Sequence, residues 1–368
     1  MGWIAWSDVQ CARQRIAGAA VRTPLVPLSR PRLRQAGFGS LAEKLPEIFL
    51  KNEAAQPTGS FKLRGACNRI ASLTEDELRR GVITYSSGNH AQGVAYAARA
   101  RGARAVIVMP SNAPQIKRDA TASLGAEIVT VGPASKDRLA KAEALVAEHG
   151  YIMVPPYDDL QIIAGQATCG VEILEQMHWL PSAAKPDAAV QEAVEPTAPP
   201  CEASQAVVLA PVSGGGLLSG ISAGIALAGE ASGRPTPPVW GIEPELAGDA
   251  AESFRTRTLV EWPAERTSRT LADGLRTQSL GQRNFEHIVR FTDGILTITE
   301  AELRTALRVL LTCTEIVAEP SGAVALAGAL FHAAELPPAK AIVCIVSGGN
   351  LDPALRAELL AQTAAASV

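Results

Sequence analysis

The sequence predicts an α/β protein built on open parallel sheets. Two observations lead there. Short runs rich in β-branched residues alternate with helical stretches of about 10–15 residues from position 82 onward, the pattern of βαβ units. Several of these runs also pass directly into small-residue turns that open a helix, as in TYSSGNHAQG (84–93) and APVSGGGLLSG (210–220). At roughly 100–200 residues per domain, a chain of 368 residues suits two domains.

The first series begins with VITY (82–85), the turn SSGNH and a helix over AQGVAYAARARG. A second strand follows at 103–110, with a helix through Leu124, then a third strand at 126–131 and the helix KDRLAKAEALVAEHG. YIMVPP (151–156) closes this set. The second series has a helix at 162–179 and the strand AVVLAPV (206–212), which runs into SGGG and a helix. Strands at 238–244 and 295–299 follow, then a helix opened by Thr299 with Glu302 three places on, a capping-box pattern. The last strand lies in AKAIVCIVSGGN (339–350). These elements divide into a small α/β domain over 80–156 and a large one over 1–79 and 157–368. The stretch 180–205 is rich in Pro, Ala and Glu without periodicity and reads as a flexible surface insertion within the large domain.

Hydrophobic residues at 47% and charged residues at 19%, with a mean hydropathy of +0.11, exclude a disordered chain. Aromatics at 4% make the core aliphatic and alanine-rich. A net charge of −3 with no block of five or more like charges gives no nucleic-acid surface. No apolar run reaches the roughly 18 residues of a membrane helix, and the N-terminus lacks the pattern of a secretory signal. Cys11, Cys67, Cys169, Cys201, Cys313 and Cys344 form no CxxC pair, so free thiols in a reducing cytoplasm are expected.

Five segments carry chemistry. In QPTGSFKLRGACNRI (56–70), Lys62 sits between Phe61 and Leu63. Apolar surroundings disfavour an ammonium and lower its pKa, which a Schiff-base lysine needs. Taken alone, the segment favours an ordinary solvated lysine. TYSSGNHAQG turns backbone N–H groups, hydroxyls and the Asn89 amide toward one spot, a nest for a carboxylate or phenolate, or else a plain capped turn. APVSGGGLLSG places bare amides at a helix N-terminus, suited to phosphate, yet it matches neither GxGxxG nor the P-loop. CIVSGGNL (344–351) is a second strand–glycine turn. In GIEPELAGD (241–249), Glu243 and Asp249 are either hard oxygen ligands for Mg²⁺ or Ca²⁺ or two surface acids.

Together these motifs resemble the fold-type-II pyridoxal-phosphate enzymes (the tryptophan synthase β-like fold), and among them the serine/threonine dehydratases and serine racemase. GSFKLRGA, SSGNHAQG, SGGGLLSG, LADGL, EPSGA and SGGN occur in family order between about Thr23 and Asn350. The resemblance implies two α/β domains with pyridoxal 5′-phosphate in the cleft between them. It implies that Lys62 joins the cofactor covalently and that Phe61 packs near its ring. Asn89 and Glu319 would stand beside the ring, Ser347 at its nitrogen, and Ser213, Gly214, Gly215, Gly216 and Leu217 around its phosphate. Ser86, Ser87, Asn89 and His90 would grip the substrate carboxylate, with Ser87 also the proton donor of a racemase. Glu243, the Ala247 carbonyl and Asp249 would hold a divalent cation.

The expected activity is dehydration and deamination of a β-hydroxy amino acid of the serine, threonine, phenylserine or 3-hydroxyaspartate type, by a homodimer. Amino-acid racemisation, β-replacement and ligand binding without turnover are the alternatives. Tyr157 stands where serine racemase has Asn, which favours dehydration. Lys136 and Arg276 are the cations considered for a second substrate carboxylate, or are solvated surface charges. Only 18 residues follow Asn350, too few for the regulatory domain of biosynthetic threonine dehydratases.

Overall fold

A computed structural model describes residues 2–86, 88–113, 115–132, 135–181 and 200–365. Among the described residues, ten strands form two sheets. They are β1 (Leu25–Pro27), β2 (Glu47–Asn52), β3 (Val82–Tyr85), β4 (Ala105–Pro110), β5 (Glu127–Val131), β6 (Ile152–Met153), β7 (Ala206–Pro211), β8 (Val239–Pro244), β9 (Gly294–Ile298) and β10 (Ala341–Val346). The smaller sheet has the order β5-β4-β3-β6 and the larger β1-β2-β10-β7-β8-β9. All pairings are parallel except β1 with β2, an antiparallel edge strand of three residues. β4, β7 and β10 are buried along their whole length, as expected for strands covered on both faces by helices.

The eight strands read from the sequence are present, most within two residues of the expected ends; the last of the first series shortens to Ile152–Met153. Two strands escaped that reading. β2 carries the buried run Ile48–Lys51, and its fully buried Lys51 broke the apolar pattern that marks a central strand. β1 is too short to show a period.

The helix Leu160–Gln176 is buried on nearly every side, which its glycines permit. A Cβ on Gly165 would lie 2.6 Å from the Cα of Gly65, and one on Gly224 would lie 2.5 Å from the Ala167 carbonyl oxygen. The backbones therefore meet directly, and this helix becomes the shared floor under helices Lys62–Ala71 and Gly216–Ser232, which carry the lysine and the SGGG loop. The apolar face of Lys62–Ala71 packs on the far side with the smaller sheet, where Leu63, Ala66 and Ile70 join Val82, Val94 and Ile107 in one core. Most of the proposed insertion, 182–199, lies outside the described residues. Its flanks are pinned, since the Trp179 indole N–H donates to the Cys201 carbonyl at 2.9 Å.

Gly165→Ala is expected to destabilise the protein by about 1–3 kcal/mol, because the methyl group overpacks backbone that cannot yield. Urea denaturation measures it; an unchanged midpoint would mean that the two helices are not in backbone contact.

Candidate active site

The lysine segment and the last glycine turn are interlocked. Gly349 N–H donates to the Gly59 carbonyl at 2.9 Å and Phe61 N–H to the Ser347 carbonyl at 3.1 Å. Asn350 Nδ2 donates to the Thr58 carbonyl at 3.2 Å and to Asn89 Oδ1 at 2.7 Å. Three sequence-distant turns thus converge on Lys62, the first residue of its helix.

Lys62 is partly buried, and Nζ donates to the Pro156 carbonyl at 2.8 Å. Nζ also lies 5.1 Å from the Phe61 ring centroid. Burial lowers its pKa to about 8, against an opposing pull from Glu319. Glu319 caps the helix Pro320–Phe331 and receives the Asn89 Nδ2 proton at 2.6 Å. Burial and the charge of Asp273 raise it to about 7, while Asn89, Lys117 and Lys62 pull it down. The Asn89 amide is therefore fixed by Glu319 on one side and Asn350 on the other.

His90 lies just inside the N-terminus of helix Asn89–Ala100, but its ring is buried. Its Nε2 faces the Val154 carbonyl at 3.1 Å, which assigns the proton to Nε2 and leaves Nδ1 as the free nitrogen. Burial and the Lys62 charge hold it near 3, so it is neutral. Ser86 Oγ accepts the Gly88 N–H at 3.3 Å. Ser87 lies outside the described residues, as does the side chain of Lys136.

The SGGG loop joins β7 to the 17-residue helix Gly216–Ser232. The first-turn N–H groups of a helix have no partner within it and carry its positive dipole end. Gly215 (φ 92°) and Ser213 (φ 59°) are left-handed, which turns the chain sharply into that end. The Tyr157 ring covers the loop: Cβ atoms on Gly214 or Gly216 would lie 2.6 and 2.9 Å from Tyr157 atoms. Ser213 Oγ donates to the Gly274 carbonyl at 3.0 Å, so its hydroxyl serves the adjacent LADGL turn. Leu217 is in the core. Ser347, 4% exposed, places Oγ 3.3 Å from the Ser321 carbonyl. Arg276 is exposed and donates to the Thr270 carbonyl from Nε and Nη2 at 3.0 and 2.7 Å.

Glu243 on β8 and Asp249 at the start of helix Asp249–Thr256 are both buried, with the short turn Glu245–Ala247 between them. Glu243 Oε1 accepts the Ala251 N–H at 2.7 Å, whereas Glu243 Oε2 and Asp249 Oδ2 have no hydrogen-bond partner among the described residues. Burial and mutual repulsion push Glu243 well above the usual carboxylate range, and burial lifts Asp249 to about 7. Among the described residues no cluster of three or more His, Cys, Asp or Glu side chains has metal-binding geometry, so any cation here needs backbone carbonyls as well.

Sequence reasoning missed a buried charge network behind the lysine helix. Arg64 binds Glu53 through Nε and Nη2, both at 2.8 Å, and Glu172 through Nη1 and Nη2 at 2.6 and 2.8 Å. Lys51 Nζ meets Glu172 at 2.7 Å. Burial opposes the charges of Glu53, Arg64 and Glu172, yet Arg64 and Lys51 still hold Glu172 down to about 2. No local signal reveals it, because Arg64 and Glu172 are 108 positions apart.

A desolvated lysine, a glycine turn at a helix N-terminus and a buried serine hydroxyl are thus the chemistry-bearing features of neighbouring turns. The model of the family described as pyridoxal-phosphate dependent enzyme matches residues 16–348, and the chain belongs to that family. Among its relatives is the L-threo-3-hydroxyaspartate ammonia-lyase of Saccharomyces cerevisiae, 35% identical over 94% of this chain and 93% of that protein. A solved threonine deaminase from T.th. is 39% identical, with a TM-score of 0.78 over 95% of this chain and 99% of that one. Maize serine racemase is 29% identical, with a TM-score of 0.80 over 100% and 99%. The fold is therefore the fold-type-II α/β architecture.

Arg64→Met is expected to cost about 3–5 kcal/mol by stranding two buried carboxylates. Adding Glu53→Gln and Glu172→Gln is expected to recover part of that loss in chemical denaturation. A single mutant as stable as the parent would show that the network is not compensated as described.

Proposed function

We propose that this protein catalyses pyridoxal-phosphate-dependent β-elimination of a β-hydroxy amino acid, of the serine, threonine, phenylserine or 3-hydroxyaspartate type, to a 2-oxo acid and ammonia. The observation that carries the reading is the Lys62 amine. Among the described residues it has no carboxylate in contact, its pKa is lowered to about 8, and it stands among the interlocked turns beside the SGGG loop.

The residues fit the cofactor. The helix N-terminus behind Ser213, Gly214, Gly215, Gly216 and Leu217 suits a phosphate, Phe61 flanks the amine, and Asn89 with Glu319 offers a fixed amide. Bound there, pyridoxal phosphate supplies the electron sink that makes the substrate Cα–H bond acidic. Lys62 Nζ, neutral in a large fraction of molecules near pH 8, is nucleophile toward an aldehyde and base toward the Cα proton. Ser347 Oγ is a rotor that can turn from the Ser321 carbonyl toward a ring nitrogen. A hydroxyl, unlike a carboxylate, leaves that nitrogen unprotonated, which favours prompt loss of a β-hydroxyl over reprotonation at Cα. The turn at Ser86, Ser87, Asn89 and His90 is the carboxylate pocket, since a helix N-terminus favours an anion. Tyr157 covers the phosphate loop and excludes water from it.

Residues 80–156 are the proposed small domain, and the remainder the large one. A homodimer is the commonest symmetric state and is proposed here. The described residues contain no helix long and apolar enough to cross a membrane. Six free cysteines suit a reducing compartment such as the cytoplasm. Glu243, the Ala247 carbonyl and Asp249 are proposed to bind Mg²⁺ or Ca²⁺, because two buried carboxylate oxygens without partners otherwise carry a large desolvation cost.

A panel of β-hydroxy amino acids assayed for oxo-acid release tests the activity. Lys62→Ala should abolish turnover, and the rate at which cofactor-free protein takes up pyridoxal phosphate should rise with pH and level off above about 8, as the amine loses its proton. Release of the D-enantiomer without oxo acid would instead establish a racemase.

The cation has its own pH signature. Asp249 and Glu243 have folded pKa values above their unfolded ones, so their contribution to stability is fully present below the unfolded values and is lost as pH rises through the folded ones. In EDTA the melting temperature should therefore fall between about pH 4 and pH 7, and Mg²⁺ or Ca²⁺ should remove that fall. A melting profile indifferent to cation would overturn this site.

A further inference from the structure

We infer that Lys117 and Asp273 are positioning residues, an ionic catch that fastens the smaller-sheet lobe onto the cofactor cradle. Lys117 lies on the helix Gln115–Ser123, which follows β4 of the smaller sheet. Asp273 opens the short turn Asp273–Leu275, which belongs to the larger lobe. Their Nζ and Oδ2 atoms are 2.8 Å apart across 156 positions of sequence.

The importance of the pair comes from what the Asp273 turn holds. The next residue, Gly274, receives the Ser213 hydroxyl proton through its carbonyl at 3.0 Å. Gly274 N–H donates to Ser321 Oγ at 2.9 Å, and the Ser321 carbonyl faces Ser347 Oγ at 3.3 Å. One short turn therefore ties together the residue that opens the SGGG loop and the serine proposed for the ring nitrogen. The turn and the helix approach closely here, since a Cβ on Gly274 would lie 2.8 Å from Ser321 Oγ. On the other side, the Lys117 helix packs against Asn89–Ala100, whose first turn carries Asn89 and His90. The catch thus joins the carboxylate pocket on one lobe to the cofactor cradle on the other. Both its charges also act on Glu319, Asp273 raising and Lys117 lowering its pKa.

With side chains 24% and 43% exposed, the pair adds little to fold stability. Its effect falls on the spacing of the two lobes, where small displacements of a reacting group are expensive. Solvent reaches it, so it can open and close with substrate passage.

This inference rests on the reading of the Lys62 site given above, and its test separates the two. Lys117→Met and Asp273→Asn should leave the melting temperature unchanged. Each should speed amide hydrogen exchange severalfold in peptides covering 115–123 and 271–278, with β10 unaffected. In turnover, each should lower kcat/KM about fivefold, with the double mutant no worse than either single one, because contacting residues are not additive. The exchanged pair, Lys117→Asp with Asp273→Lys, should restore both exchange and kcat/KM to within about twofold. Unchanged exchange in the single variants, additive losses, or an exchanged pair as impaired as the singles would overturn the catch. A parent enzyme that turns over no β-hydroxy amino acid would overturn the proposed reaction, while the exchange measurements would still decide whether the lobes are fastened here.

Discussion

The helix Lys62–Ala71 carries two cations, two residues apart, and the protein treats them in opposite ways. Arg64 is sunk in the core and met by two carboxylates, so its charge is fully compensated. Lys62 is given only a carbonyl oxygen, and Glu319 acts on it from a distance. The second arrangement depends on the first. An amine can be kept short of counter-charge only if its helix is held from elsewhere, and the Glu53–Arg64–Glu172 network supplies that hold. A buried network of this kind is weak evidence of stability, but it ties the lysine helix to Glu53 and to the helix Leu160–Gln176.

The same constraint orders the rest of the site. In the proposed function, Lys62 stands beside an anion cradle without pairing with an anion of the protein. The cradle is accordingly made from backbone amides, a helix end and hydroxyls. Its glycines are also required by packing, because the Tyr157 ring fills the space beside Gly214, the Tyr157 Cβ and backbone that beside Gly216, and Asn284, Leu280 and Ile288 that beside Gly215. The carboxylate that acts on Lys62, Glu319, is raised toward neutrality by burial and accepts a hydrogen bond from Asn89.

Much of this was legible in the sequence because it is local. Strand–turn–helix passages such as 82–93 and 206–220 show their period and their small residues in a single window, and each lies close to its expected place. The same holds for the capping box at Thr299 and Glu302. What could not be read depends on distance. β2 hides because Lys51, a buried cation, interrupts its apolar run, and its partner Glu172 lies 121 positions away. The hold on Arg64, the stacking of Tyr157 on the SGGG loop and the contact of Lys117 with Asp273 likewise join residues that no window contains. Arg276, considered as a substrate cation, proved to be engaged with a carbonyl only six positions away, a turn conformation that composition does not specify.

The account stands or falls on covalent attachment at one nitrogen. Sodium borohydride treatment of the purified holoenzyme, followed by proteolysis and mass spectrometry, reads that attachment directly. A pyridoxyl mass increment confined to the peptide containing Lys62 is the result the account predicts. A label on another lysine, or none on a protein that turns over its substrate, would contradict it.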